Sequence, residues 1–313
     1  MGAEHYKRSN SVLQRIKSVV YKLPLGGYFI NVVRKVFIIL YMVAWRTARF
    51  YAQWRYRNER TRSFAFAGFS VTEPTSGAYM PGALVMGLRG HVRTAKQVQQ
   101  LLREEKEPVI LDVGANVGIF SLLYSRIPGA KVFSFEPVSQ TYACLRENIG
   151  RNGIDHVETI QEGLSDTETT LYIGPEDETP KTTRFSVHVK HDGRGEEATF
   201  TTLDIFVARR GLDHLSFLKI DVQGHEMAVL KGGMESLKRF LPIIEVELVK
   251  GRENPENILI MLADLGYSFF TWNGRDLRST TIDNWVQATN IDLDVFAIPP
   301  GRLSSVLPQN RAR

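Results

Sequence analysis

Residues 109–126 carry an arrangement suited to holding a nucleotide-like ligand. Asp112 lies two residues before a glycine turn, Gly114-Ala115-Asn116-Val117-Gly118, and an apolar helical pattern through Ile119, Leu122, Leu123 and Ile127 follows. A carboxylate at a strand end can accept hydrogen bonds from an ammonium group, while turn amides and the positive end of a helix receive a carboxylate. The dinucleotide fingerprint Gly-x-Gly-x-x-Gly puts glycine where the backbone presses on a pyrophosphate. Here the corresponding positions are Gly114, Asn116 and Ile119. With two of the three glycines missing, a nucleoside bearing an amino acid fits better, which means S-adenosylmethionine. Glu136 ends the next apolar run, Val132 to Phe135, where an acid can bind two ribose hydroxyls. Its alternative role is a charge beside Pro137 at a helix start.

A second constellation lies in Ser216 to Glu226. Asp221 ends a buried strand, Gly224 permits a tight turn, and His225-Glu226 opens a helix expected to run to Lys238. In an open parallel sheet this strand neighbours the first across the switch point, so Asp221 faces the same crevice as Gly114. Methyl transfer to a hydroxyl needs orientation and removal of a proton. The expected catalytic residues are His225 as base, because imidazole titrates near neutrality, with Asp221 and Glu226 beside it. Glu245 and Glu247 lie two apart on Ile243 to Leu248 and point to one face; with Asp221 they are compatible with a divalent cation. A protein-structural role is the simpler reading, so no metal site is assigned, and no zinc spacing occurs. Leu164 and Ser165, at the end of an expected third strand Val157 to Leu164, are placed by position to line an adenine.

These elements need a frame. Alternation of buried strands and amphipathic helices from His91 to about residue 300 gives an α/β doubly wound domain with helices on both faces. Residues 167–200 are polar and turn-rich and read as an inserted hairpin with a basic lining of Lys181, Arg184, His188, Lys190 and His191. A helix is expected from His91 to Glu105, and Phe64 to Gly90 reads as loops with a short strand, making 63–90 a linker or cover. Residues 301–313 form a tail.

The net charge of +5 hides an asymmetry. Residues 1–62 hold thirteen Lys/Arg against two acids, Glu4 and Glu59, so the rest of the chain is net acidic. The charge-free run Val36 to Trp45 is ten residues, against roughly 20 needed to cross a bilayer, and no cleavage site for a secretory leader follows it. Residues 12–57 therefore read as a basic amphipathic helical arm. It suits an anionic membrane surface, or packing on a partner or on its own domain; nucleic acid is disfavoured. Cys144 is the single cysteine, which excludes an intrachain disulfide and fits a reducing compartment. The expected location is cytoplasmic, peripheral at the inner face of a membrane.

The motifs Val-Ile-Leu-Asp-Val-Gly-Ala-Asn-Val-Gly, Phe-Glu-Pro, Thr-Leu-Asp-Ile-Phe and Lys-Ile-Asp-Val-Gln-Gly-His-Glu with Val-Leu-Lys-Gly, in this order, resemble the FkbM-type S-adenosylmethionine-dependent methyltransferases. The resemblance covers about residues 85–300. It implies a Rossmann-like seven-stranded sheet of order 3-2-1-4-5-7-6 with the last strand antiparallel, and O-methylation of sugars or polyketide-derived compounds. It implies Asp112, Gly114, Asn116, Gly118 and Glu136 as cofactor ligands, and Asp221 at the methyl-transfer crevice. Where the family usually has Glu, this chain has Gln223. The expected function is O-methylation of a glycan, glycolipid or related small molecule; the alternative is a catalytically silent cofactor-fold module recruited through the arm.

Overall fold

A computed structural model describes residues 61–74, 81–175, 187–190, 195–248, 255–272, 276–287 and 293–305. The arm of residues 12–57, the basic positions Lys181, Arg184 and His191, and the tail beyond 305 lie outside the described residues.

The chain enters through a hairpin, β1 (Thr61–Phe66) and β2 (Phe69–Pro74), whose turn residues Ala67 and Gly68 have φ of 48° and 85°. Both positive angles suit a two-residue hairpin turn. Helix α1 (Pro81–Leu101) follows, then β3 (Val109–Val113), α2 (Ile119–Tyr124), β4 (Lys131–Phe135), α3 (Ser139–Arg151) and β5 (Val157–Ile160). The expected loop over 64–90 is thus corrected to a hairpin and the start of a helix. What holds β2 is remote in sequence. The Asn148 side chain of α3 accepts from the Thr72 N–H (2.6 Å) and donates to its carbonyl (2.8 Å), and Asn152 does the same for Ser70 (2.9 and 2.8 Å). Side-chain amides here take the place of a neighbouring strand.

Next come β6 (Gly163–Leu164), β7 (Thr169–Pro175), β8 (Val187–Lys190), β9 (Glu196–Thr201), α4 (Leu203–Arg210) and β10 (Phe217–Ile220). The remainder is α5 (Glu226–Lys231), α6 (Met234–Phe240), β11 (Ile243–Leu248), α7 (Pro255–Asp264), β12 (Ser268–Trp272), β13 (Leu277–Thr280), α8 (Ile282–Gln287), β14 (Leu293–Ile298) and a 3-10 turn, Pro300–Ser305.

The main sheet has the order β13-β12-β14-β11-β10-β3-β4-β5. From β5 through β11 neighbouring strands are parallel; β14 is antiparallel to both β11 and β12. Eight strands replace the expected seven, the addition being the edge strand β13, antiparallel to β12. Its Leu-Arg-Ser-Thr sequence carries no apolar run, so its pairing follows from the bare edge of β12. One face buries Leu111, Phe133, Phe135, Leu218 and Ile220; the other buries Ile110, Leu122, Tyr124, Val132 and Phe217.

Two further expectations change. The third strand ends at Ile160, and Gly163-Leu164 crosses into a second sheet, β6-β9-β7-β8, where it pairs parallel with Phe200-Thr201. The inserted hairpin is thus a four-stranded side sheet with β7 antiparallel to both β8 and β9. The helix expected from His225 to Lys238 is broken at Gly232-Gly233. A Cβ on Gly232 would collide with the Ser165 carbonyl, and one on Gly233 with the Leu203 side chain. The break is capped from outside: the Asp204 carboxylate accepts from the N–H groups of Glu235 (3.1 Å) and Ser236 (2.7 Å), which start α6. Thr202 caps α4 through the Ile205 N–H at 3.1 Å. Among the described residues no helix is long and apolar enough to cross a membrane.

Candidate active site

The glycine turn is held from two sides. The N–H groups of Gly114 and Ala115 both donate to the Phe135 carbonyl, at 3.0 and 2.8 Å, tying the end of β3 to the end of β4. Gly114, Asn116 and Gly118 have φ of 82°, 51° and 87°. Asparagine tolerates the left-handed region, and here its Oδ1 accepts from the Val117 N–H at 2.7 Å. A Cβ on Gly114 would collide with the Asp221 carbonyl, so the turn lies directly against the end of β10. The switch point between β3 and β10 is therefore closed by backbone on both sides, and only glycine leaves room.

Glu136 lies beside this turn and is 6% exposed. Its Oε2 accepts from the Asn116 N–H (2.9 Å) and its Oε1 from the Val138 N–H (3.0 Å). Burial pushes its pKa up to about 7 despite those bonds. Each oxygen retains a second lone pair for a ligand hydroxyl.

Asp112 is deeper than the sequence implied: it is fully buried beneath the turn. Its Oδ2 accepts from the Ser121 hydroxyl (2.7 Å), which in turn receives the Ser134 hydroxyl (2.9 Å), while Oδ1 has no partner. Burial raises its pKa. The register sets it in a row of buried polar groups, with Ser134 and Lys219 opposite Asp112, and Glu245 opposite Lys219.

Lys219 is the residue that sequence reasoning missed. Its ammonium pairs with Asp221 Oδ2 at 2.9 Å and lies 4.7 Å from the centre of the Phe120 ring. Burial alone would lower its pKa, but Asp221, Asp112 and Glu245 outweigh that and raise it. The same pairing overcomes the burial of Asp221 and holds its carboxyl at about 2. The signal was available: a lysine in the centre of Phe-Leu-Lys-Ile, flanked by strands buried on both faces, requires a buried anion. Beyond it, Tyr124 donates to Glu245 Oε2 at 3.3 Å, and Glu245 Oε1 is unpaired.

After β10 the chain turns through Gln223 and Gly224, with φ of 57° and 106°. Gln223 Nε2 donates to Asp221 Oδ1 (2.9 Å) and to Glu247 Oε2 (2.8 Å). Both oxygens of Glu226 accept from the Gly224 N–H, at 2.9 and 3.0 Å, so this carboxylate closes the turn at the start of α5. His225 is turned toward the side sheet: its Nε2 lies 2.9 Å from the Ser165 hydroxyl and its ring packs edge-on against Phe200. Leu164 is 1% exposed and packs its side chain into the core, leaving Ser165 as the residue of that pair beside His225. Among the described residues no group of three or more His, Cys, Asp or Glu has a metal-holding arrangement.

The turn thus brings Gly114, Asn116, Gly118 and Glu136 together at the ends of β3 and β4 and against the Asp221 carbonyl, with Asp112 bonded to Ser121 and His225 set against Ser165. The pattern, at the carboxyl ends of a mostly parallel sheet with two antiparallel strands toward one edge, is that of the Rossmann-like α/β methyltransferase class. The sequence profile described as the Methyltransferase FkbM domain matches residues 112–269. The chain belongs to the FkbM methyltransferase family.

Its relatives include Methyltransferase sdnD of Sordaria araneosa, 28% identical over 190 residues that span 51% of this chain and 73% of that protein. Hexuronic acid methyltransferase AglP of Haloferax volcanii is 30% identical over 175 residues, 55% of this chain and 70% of that protein. For 2-O-methyltransferase NoeI of Sinorhizobium fredii the identity is 27% over 164 residues, 47% of this chain and 66% of that protein.

Proposed function

We propose that the protein transfers a methyl group from S-adenosylmethionine to a hydroxyl oxygen of a sugar in a glycan, glycolipid or related small molecule. The observation that carries the reading is the glycine turn at the end of β3 with the Glu136 carboxylate beside it, packed so closely on the Asp221 carbonyl that no Cβ fits at Gly114. The turn amides are all bonded within the protein, which leaves the start of α2 for the cofactor's carboxylate, Glu136 for ribose hydroxyls and Ser165 for the adenine side. The bound cofactor supplies an electrophilic methyl on a sulfonium. The chain's part is to orient an acceptor, exclude water and take up one proton. His225 keeps Ser165 in place through the 2.9 Å contact, and Glu226 fixes the turn that carries His225. One relative is named for a hexuronic acid and another as a 2-O-methyltransferase, and the two names together support a sugar oxygen as the acceptor. The basic arm of residues 12–57 suits acceptors borne on an anionic membrane surface.

The test is to incubate the full chain with methyl-labelled S-adenosylmethionine and oligosaccharides or glycolipids containing hexuronic acids. Label is expected in an alkali-stable methyl ether. Label in a methyl ester, or no binding of S-adenosylhomocysteine by calorimetry, defeats the reading.

A further inference from the structure

At the carboxyl ends of β10 and β11 the Glu247 carboxyl hydrogen-bonds that of Asp221, and one amide touches both. Gln223 Nε2 bridges Asp221 and Glu247, and the second oxygen of Asp221 is taken by the Lys219 ammonium. The two acids are therefore unlike. Asp221 is compensated by a buried cation and an amide and stays ionised. Glu247 has the amide, but the ion pair goes to its neighbour. The groups acting on it are Asp221 and Lys219 from β10 and Asp294, opposite it on β14; His91 from α1 faces Lys219 and Asp221, and Tyr124 from α2 faces Glu245 and Asp294. Burial first, then the negative charge of Asp221 and the hydrogen bond to its carboxylate, and then Asp294 push the Glu247 carboxyl up to about 8, with Lys219 opposing.

Gln223 occupies the left-handed region at a φ of 57°, and its bonds to the two acids hold it there. Two acids whose surroundings drive their proton affinities apart are the ordinary means of dividing labour between a fixed charge and a proton acceptor.

We infer that Glu247 is the catalytic base that takes the acceptor hydroxyl's proton, with Gln223 and Lys219 as positioning residues. The inference rests on the methyl-transfer reading above. In the step, the acceptor O–H bond breaks and its proton passes to Glu247. The oxygen's electron pair forms the O–CH3 bond, and the S–CH3 bond breaks with its pair left on sulfur, turning a sulfonium into a thioether. His225, which faces Ser165 and Phe200, is not the base in this arrangement.

The test needs no acceptor. A carboxyl that must be ionised beside a sulfonium couples affinity for S-adenosylmethionine to pH. Calorimetry on the full chain with S-adenosylmethionine and with S-adenosylhomocysteine, at pH 7 and pH 9, compares wild type with Glu247→Gln and Glu247→Asp. For S-adenosylmethionine the wild type is expected to tighten about tenfold more over this range than Glu247→Gln, the change a group titrating near 8 produces. Glu247→Asp keeps part of that response, and S-adenosylhomocysteine, with neutral sulfur, shows none of it.

In wild type alone, carbon-13 NMR of the glutamate carboxyls must show a group titrating near 8 that moves below 7 when S-adenosylmethionine is added; this reading stands even where Glu247→Gln folds poorly. Equal pH responses in wild type and Glu247→Gln, or no such carboxyl, overturn the assignment while leaving the methyltransferase reading intact. Failure of wild type to bind either compound overturns the reading itself, and the inference with it.

Discussion

Glu136→Gln separates the chemistry of the site from its stability. In the folded protein the Glu136 carboxyl is raised from an ordinary 4.5 to about 7, with burial the largest cause. A raised acid binds its proton more tightly when folded. Its contribution to stability is therefore complete below the unfolded value and is lost as pH rises through the folded one. The shift corresponds to about 3 kcal/mol at ~1.4 kcal/mol per unit, of which about 2.5 kcal/mol falls between pH 5 and pH 8. Glutamine is neutral throughout and escapes this loss. It also gives up a bond, since its single carbonyl oxygen cannot serve the Asn116 and Val138 N–H groups both, at a pH-independent cost of about 1–2 kcal/mol. The variant is thus expected to be less stable than wild type near pH 5 and more stable by about 1–2 kcal/mol at pH 8. Its affinity for S-adenosylhomocysteine should fall about tenfold or more from the lost ribose contacts. Urea unfolding of both proteins at pH 5, 6, 7 and 8 is the assay. A stability difference that stays constant to within about 0.5 kcal/mol over that range refutes the argument.

Lys219→Met removes the buried cation that offsets partly exposed Asp221 and the buried acids Asp112 and Glu245, and should cost about 3 kcal/mol in urea unfolding at pH 7; a loss under about 1 kcal/mol would show the cation to be dispensable. Gly114→Ala places a methyl group against the Asp221 carbonyl at a φ of 82°, so calorimetric affinity for S-adenosylhomocysteine should drop at least about tenfold. An unchanged dissociation constant would mean that the turn does not hold the cofactor.

The parts of the molecule legible in sequence are those whose cause is local. Val109 to Val113, apolar but for Asp112, runs into a glycine, Val132 to Phe135 is a second mostly apolar run, and both are strands that pair side by side. The parts that were not legible depend on neighbours far along the chain. Ser70 and Thr72 form a strand because Asn148 and Asn152 hold them. Gly232 breaks a helix because Ser165 comes up against it. Glu226 and His225 read as chemistry from their residue types, but the structure gives Glu226 to the Gly224 N–H and turns His225 to Ser165. Lys219 and Gln223 carry the charge arrangement that the acids alone did not suggest.

The crossing at Gly163-Leu164 has a consequence for how this enzyme class diversifies. The side sheet leaves the main sheet there and returns at Thr201, and the two ends are bonded to each other, Leu164 opposite Thr201. Whatever is spliced between them begins and finishes at the same clasp. Ser165 and Thr202, on either side of that clasp, keep their places beside the crevice and at the helix cap whatever the length of the excursion. A change of length between them therefore leaves the main sheet and the turn at Gly114 where they are.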